Sequence, residues 1–334
     1  MSEFRQDPLS GLWSVIAPGR ARRPHEIDET ETAVVAHEGK PEFDPDCPFC
    51  PGNEHMLPPM VEEREGDEAP GWFTRVVPNK YPILSGAGGE LPADCLTSGY
   101  GRHEVIIETP RHDADLPDLD PAGMQAIVDT WRARFTAVSA MPGIEAVALF
   151  RNRGKGAGAS VAHSHSQLVG MPFTPPLLAE GLERALAHYQ EHRRCLTCEY
   201  LERELTAGDR VVEMGGTFAM LVPLAARGPL EQWIVPIRHS PDFAQGSEDE
   251  RNVLGGVIQR AIRRLRKVVG DAAYNMVVEP GSSDPAHRPA AHWKIRLVPD
   301  LLTPGGFELL SGLAVVPSSP ESDAESLRGV NPAA

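Results

Sequence analysis

His163, His165 and Gln167 stand two apart in the run His163-Ser-His-Ser-Gln167. In an extended strand that spacing sends all three side chains to one face. A neutral imidazole is a nucleophile near neutral pH, and an amide beside it can hold a phosphate oxygen. Just upstream, the stretch from Phe150 supplies Asn152, glycines at 154, 156 and 158, Ser160, and the cations Arg151, Arg153 and Lys155. Glycines let backbone N–H groups close on an anion with no Cβ in the way. The two features together predict a phosphate site with a nucleophile beside it. No Gly-Lys-Ser/Thr closes the loop, so it is not a Walker loop. A strand rather than a helix follows, so it is not a dinucleotide fingerprint either.

A second chemistry is carried by Cys47-x-x-Cys50 and Cys195-x-x-Cys198. Two thiolates on one turn form a common half of a tetrahedral zinc site. Each pair is followed by two histidines in equivalent places, His112 and His163 in the first half, His239 and His292 in the second. The expectation is two Cys₂His₂ zinc sites, and closed four-ligand sites organise a fold rather than activate water. His55 and His103 are rivals for the first site, ranked lower because neither has a counterpart in the second half. Cys95 is left as an ordinary thiol.

The elements that must position these groups repeat. Strand patterns at Trp72–Val77, His103–Glu108 and Ala146–Phe150 surround a helix over Met124–Ala140, whose apolar positions (Ile127, Trp131, Phe135, Val138) follow a 3.6 period. Asp120-Pro-Ala-Gly reads as its start. In the second half the strands are Thr217–Val222, Glu231–His239, Tyr274–Glu279 and His292–Val298, with a helix over Asn252–Val268. His112 and His163 are nearly as far apart as His239 and His292. Leu177–Arg194 reads as a bridging helix, charged on one face, that ends at the second Cys-x-x-Cys. The fold class predicted is α+β, two antiparallel sheet-and-helix units from an internal duplication. Boundaries follow at 1–176, 177–304 and a C-terminal extension, 305–334.

Composition bounds the partners. The 334 residues are 41% hydrophobic and 24% charged, as in globular proteins, with a net charge of −15. That charge argues against broad nucleic-acid or anionic-membrane binding, so a phosphorylated substrate must be met by local cations. No apolar run approaches a bilayer span, and the N-terminus lacks a signal peptide's apolar core. A cytoplasmic location is expected, where the five cysteines do not pair as disulfides.

The pattern Asn152-x-Gly154-x-x-x-Gly158-x-Ser160-x-x-His163-x-His165-x-Gln167 resembles the active-site signature of the galactose-1-phosphate uridylyltransferase family, in the histidine-triad superfamily. The likeness extends through Asp7-Pro-Leu-Ser-Gly-x-Trp13, Arg20-Ala-x-Arg23-Pro24, Cys47, Cys50, His112, the stretch Arg75 to Pro82, and Gly306-Phe307-Glu308. It implies two histidine-triad-like units and transfer of a nucleoside monophosphate between a nucleotide sugar and a sugar 1-phosphate through a nucleotidyl-histidine. The resemblance makes His165 the nucleophile, Gln167 its phosphate-holding partner and His163 a zinc ligand. Asn152, Gly158, Ser160 and Arg20 become phosphate contacts, Asn79 and Tyr81 nucleoside contacts, and Phe307 and Glu308 sugar contacts. In the family the last segment reaches the neighbouring subunit, which implies a homodimer. Ser164 stands where the uridylyltransferases usually have proline. The His-Ser-His-Ser-Gln form and the second Cys-x-x-Cys set are closer to the ADP-glucose phosphorylase-like branch, which passes AMP to inorganic phosphate.

Overall fold

The computed structural model describes residues 2–22, 40–66, 70–86 and 99–333, so Arg23, Pro24 and Cys95 lie outside the described residues. In chain order the elements are β1 (Glu3–Gln6), β2 (Trp13–Ile16), β3 (Glu62–Glu65), β4 (Trp72–Pro78), β5 (Arg102–Ile107), α1 (Pro121–Ser139), β6 (Ala146–Arg153) and β7 (His165–Met171). They continue with α2 (Pro176–His192), α3 (Leu196–Ala207), β8 (Val211–Gly215), β9 (Phe218–Leu221), β10 (Gln232–Pro236), α4 (Glu248–Val269), β11 (Tyr274–Glu279), β12 (Lys294–Pro299), α5 (Gly306–Ser311), β13 (Ala314–Val316) and α6 (Pro320–Arg328). Two compact units form. One comprises the described residues within 37–151 and 161–176, the other those within 1–36, 152–160 and 177–334. The N-terminal residues and the glycine loop therefore group with the C-terminal half.

In the first unit the strands run β3-β4-β5-β7-β6, each antiparallel to its neighbour. Asp120 caps α1, its carboxylate accepting from the Gly123 N–H at 2.7 Å. The predicted stripe Ile127, Trp131, Phe135 and Val138 is buried. Trp131 also donates its indole N–H to Ser166 Oγ at 2.7 Å, and Thr130 meets Thr74 at 2.7 Å. These bonds fix which face the helix covers. Strand residues alternate in direction, so Val77, Val105, Ile107, His165 and Gln167 are turned to the opposite face. There Val105 stands beside Gln167 and Ile107 beside His165 across the β5–β7 register. The opposite face is covered by the Cys47–Cys50 turn, where Cys47, Phe49 and Cys50 pack with Trp72, Val77, Val105 and Ile107.

The second unit has the strand run β11-β12-β10-β9-β8, again antiparallel throughout. Ser247 and Glu250 form a capping box at the start of α4, which buries Leu254, Ile258, Ile262 and Leu265. Tyr200 and Leu201 of α3 pack with Leu9, Leu221, Trp233 and Val235. A small sheet of β1, β2 and β13 completes the unit, β13 running parallel to β2. The β1–β2 turn is built by Asp7, whose carboxylate accepts from the Leu9 and Ser10 N–H groups. Gly11 at φ 77 closes it in a conformation other residues avoid.

One local expectation changes. His163 lies in a bend, because β7 begins only at His165. The bridging helix stops at His192, just before the second Cys-x-x-Cys, as expected. Cys195 caps a new one, α3, on which Cys198 sits. The bridging helix α2 does form, and none of its residues is buried. Among the described residues no helix is long and apolar enough to cross a membrane.

Candidate active site and metal clusters

Four donors of the first unit converge, Cys47, Cys50, His112 and His163, all buried, with their ligand atoms within 4.8 Å of one another. Cys50 Sγ stands 3.5 Å from His112 Nδ1 and 3.6 Å from His163 Nδ1, and Cys47 Sγ 3.6 Å from His163 Nδ1. Zinc bonds of about 2.0–2.3 Å set tetrahedral edges of roughly 3.3–3.8 Å, so the spacing suits that ion. His163 Nε2–H donates to the Thr109 carbonyl at 2.7 Å, which leaves Nδ1 as the ligand nitrogen. Burial holds His163 down at about 4, hence neutral and able to ligate.

Cys195, Cys198, His239 and His292 also converge in the second unit, with Cys195 and His292 buried and Cys198 and His239 less so. Cys198 Sγ lies 3.5 Å from His239 Nδ1 and 3.4 Å from His292 Nδ1. His292 Nε2–H donates to the Pro236 carbonyl at 3.1 Å. Thr109 stands three residues before His112, and Pro236 three residues before His239. The two sets thus share their outer hydrogen bond as well as their ligand types. His55, exposed on a short 3-10 turn, and His103 belong to neither set.

His165 is 6% exposed. Its Nδ1 lies 2.8 Å from the His163 carbonyl oxygen. Only a protonated Nδ1 can donate there, so the neutral ring keeps its lone pair on Nε2. Burial is the largest cause lowering its pKa, with Arg151 adding to it, so the imidazole is neutral near pH 7. Phe49, from the Cys47–Cys50 turn, packs against the His165 ring at 5.3 Å between centroids. The first cluster therefore also sets one wall around this ring.

Ser164, between the two histidines, is anchored twice to Glu108. Its carbonyl accepts the Glu108 N–H at 3.1 Å, and its hydroxyl donates to Glu108 Oε2 at 2.7 Å. Arg151 donates to the same Glu108 oxygen at 2.9 Å, to Ser164 Oγ at 3.0 Å and to Asp115. Arg151 is thus no solvent-facing phosphate clamp, since its charge is spent inside the unit. In the second unit Arg153 is spent likewise, on Asp271 at 2.6 Å and the Ala272 carbonyl at 2.9 Å. Charge spacing in the sequence did not reveal either pairing. Because Arg151 is buried against two carboxylates, Arg151→Met is expected to cost about 3–5 kcal/mol in a denaturation experiment. A change below about 1 kcal/mol would show that the network is not structural.

Asn79 and Gln167 come together with His103, which sequence reasoning had set among the metal rivals. The available signal was its place on β5, two residues from Val105 on the same face. Tyr81 follows Asn79 and is 82% exposed. In the second unit Asn152 Oδ1 accepts from Asn275 at 2.9 Å, and Asn275 also holds the Ala157 carbonyl at 2.8 Å. Gly154 and Gly158 adopt φ 82 and 85, the left-handed region the loop requires. Ser160 ends that loop segment. Arg20 is exposed on a 3-10 turn, Pro18–Arg22. Phe307 is exposed on α5, and Glu308 there accepts the Gly305 N–H at 3.0 Å.

Residues 1–175 match the family described as galactose-1-phosphate uridyl transferase, N-terminal domain. An ADP-glucose phosphorylase of Arabidopsis thaliana is 32% identical over 337 residues, covering 98% of this chain and 93% of that protein. A probable galactose-1-phosphate uridylyltransferase of Drosophila melanogaster is 27% identical over 345 residues, covering 98% and 95%. Among solved structures, an ADP-glucose phosphorylase from Arabidopsis thaliana with bound ADP-glucose superposes with a TM-score of 0.84. The two are 29% identical and the match covers 99% of both chains.

Proposed function

The chain belongs to the galactose-1-phosphate uridylyltransferase family, and on that premise we propose that His165 carries a nucleoside monophosphate between phosphates. It is an enzyme of the uridylyltransferase and phosphorylase type. The observation that carries the reading is the neutral His165 ring, its Nδ1–H fixed on the His163 carbonyl and its Nε2 lone pair unspent among the described residues. Nε2 attacks the α-phosphorus of a nucleotide sugar. The P–N bond forms as the P–O bond to the sugar phosphate breaks, and that oxygen leaves with the electron pair. A phosphate leaving group needs little protonation, so an amide at Gln167 suffices where an acid is not required. Positive charge that develops on the imidazole is shared with the His163 carbonyl through Nδ1–H. The second substrate's phosphate then attacks the phosphoramidate and restores the free ring, a ping-pong cycle. Most of the acceleration comes from positioning and charge stabilisation.

On the family pattern Asn152, Gly158, Ser160 and Arg20 contact phosphate, Asn79 and Tyr81 the nucleoside, and Phe307 and Glu308 the sugar. Both Cys₂His₂ clusters are proposed to hold structural zinc, which supplies rigidity and no chemistry at phosphorus. The common strand order and outer hydrogen bonds support descent of 1–176 and 177–304 from a duplicated histidine-triad-like unit, with 305–334 as an extension. A homodimer in the cytoplasm completes the proposal. Leu310, 89% exposed on α5, supports the dimer, and sedimentation would test it.

Hexose-1-phosphate uridylyl transfer is the primary reading. A second, ADP-sugar phosphorolysis, is favoured by Ser164 and by near-complete coverage of the Arabidopsis phosphorylase. Incubation with UDP-glucose and ADP-glucose in parallel, each labelled at the α-phosphate, decides between them. Under the first reading the adduct forms from UDP-glucose and discharges to galactose 1-phosphate. An adduct formed from ADP-glucose alone and discharged by phosphate alone establishes the second.

A further inference from the structure

His103 is 4% exposed, and both ring nitrogens are engaged. Nδ1 accepts the Ile83 N–H at 3.0 Å. A neutral imidazole has one acceptor nitrogen, so Nε2 must carry the proton. Burial lowers the His103 pKa, which keeps the ring neutral. Nε2–H then donates to Gln167 Oε1 at 3.0 Å. Asn79 is fixed independently, because its Oδ1 accepts the Tyr81 N–H at 2.8 Å and its amide nitrogen must face inward. That nitrogen lies 3.5 Å from Gln167 Oε1 and 3.1 Å from His103 Nε2. Two donors therefore converge on one acceptor, and a Gln167 amide turned the other way would set three donors against each other.

We propose that His103 is a positioning residue that holds the Gln167 amide with its oxygen inward and its N–H groups available to the phosphate borne by His165. The proposal rests on the roles given above to His165 and Gln167. Every described hydrogen bond of the Gln167 side chain ends on its oxygen, which leaves both N–H donors for a ligand. Gln167 and His165 are two apart on one strand face, about 7 Å along β7. A phosphate bonded to His165 is therefore within reach of the amide. Asn79 links the same device to the nucleoside position, so filling that position and orienting the phosphate donor share one hydrogen-bond network.

The test measures single-turnover labelling by α-labelled nucleotide sugar, with KM and kcat, for His103→Leu, His103→Gln, Gln167→Ala and the His103→Leu/Gln167→Ala double variant. His103→Leu is expected to slow labelling about 10²-fold, the effect of losing one oriented donor, with KM changed less than threefold. His103→Gln, which restores a donor near Nε2, should recover most of the rate. Adding Gln167→Ala to His103→Leu should cost little more, because the same contact is already lost. Independent, multiplicative losses, or a His103→Gln variant as slow as His103→Leu, overturn the proposal. Nitrogen NMR of ¹⁵N-histidine protein, with His103 assigned by difference against His103→Gln, reads the tautomer without any turnover. An Nε2–H ring supports the proposal; an Nδ1–H or doubly protonated ring near pH 7 overturns it. Absence of labelling in the unsubstituted protein would instead reject the transferase reading.

Discussion

His165→Gly is expected to lower nucleotide transfer by at least about 10⁴-fold, because on the proposed mechanism the variant removes the atom to which the transferred group is bonded. The substitution leaves the His163 ring, its ligand contacts and the β5–β7 pairing in place. The protein should therefore keep its metal content, and its unfolding free energy within about 1 kcal/mol beyond the ordinary cost of a buried glycine. The decisive measurement is covalent label from an α-phosphate-labelled nucleotide sugar after denaturation and gel separation. Label on the unsubstituted chain but not on His165→Gly assigns the residue. Equal label on both places the nucleotide elsewhere and removes the mechanism.

The second large effect concerns the clusters, and it should differ between them. Structural zinc contributes apparent binding energies of about 10–16 kcal/mol, comparable to the roughly 5–15 kcal/mol that holds a domain folded. Metal analysis should give about two zinc per chain. Cys50→Ser and Cys198→Ser should each remove one and lower stability by several kcal/mol. Cys50→Ser should also suppress labelling of the folded fraction, because His163 and Phe49 lie against His165. Cys198→Ser should leave the rate per folded molecule unchanged. One zinc in the unsubstituted protein, or iron in either place, would overturn the paired-zinc reading. Equal loss of rate in both variants would overturn the division of labour.

Much of this chemistry is local enough to be read from the chain. Cys-x-x-Cys places two thiols on one turn wherever it occurs, and a two-residue spacing fixes strand direction, so His165 and Gln167 share a face as their positions require. The Asp120 cap and the 3.6-period stripe of α1 are equally short-range, and both form as expected. The two Cys₂His₂ clusters were legible because the pattern occurs twice, and each copy disciplines the reading of the other. What spacing could not decide was the use of groups brought together across strands. His103 and His112 both follow the first Cys-x-x-Cys. Only the bend beyond β5 carries His112 to the cysteines, while His103 remains on the strand beside Gln167. Arg151 and Arg153 look alike in a basic loop, yet pairing with Glu108 and Asp271 depends on residues dozens to more than a hundred positions away. The tautomer of His103 is further still from the sequence. It is set by one backbone N–H, that of Ile83, arriving at Nδ1. Residue types and short spacings determine which reactions the side chains can perform; strand register and the path of the loops decide which lone pair is left to perform them.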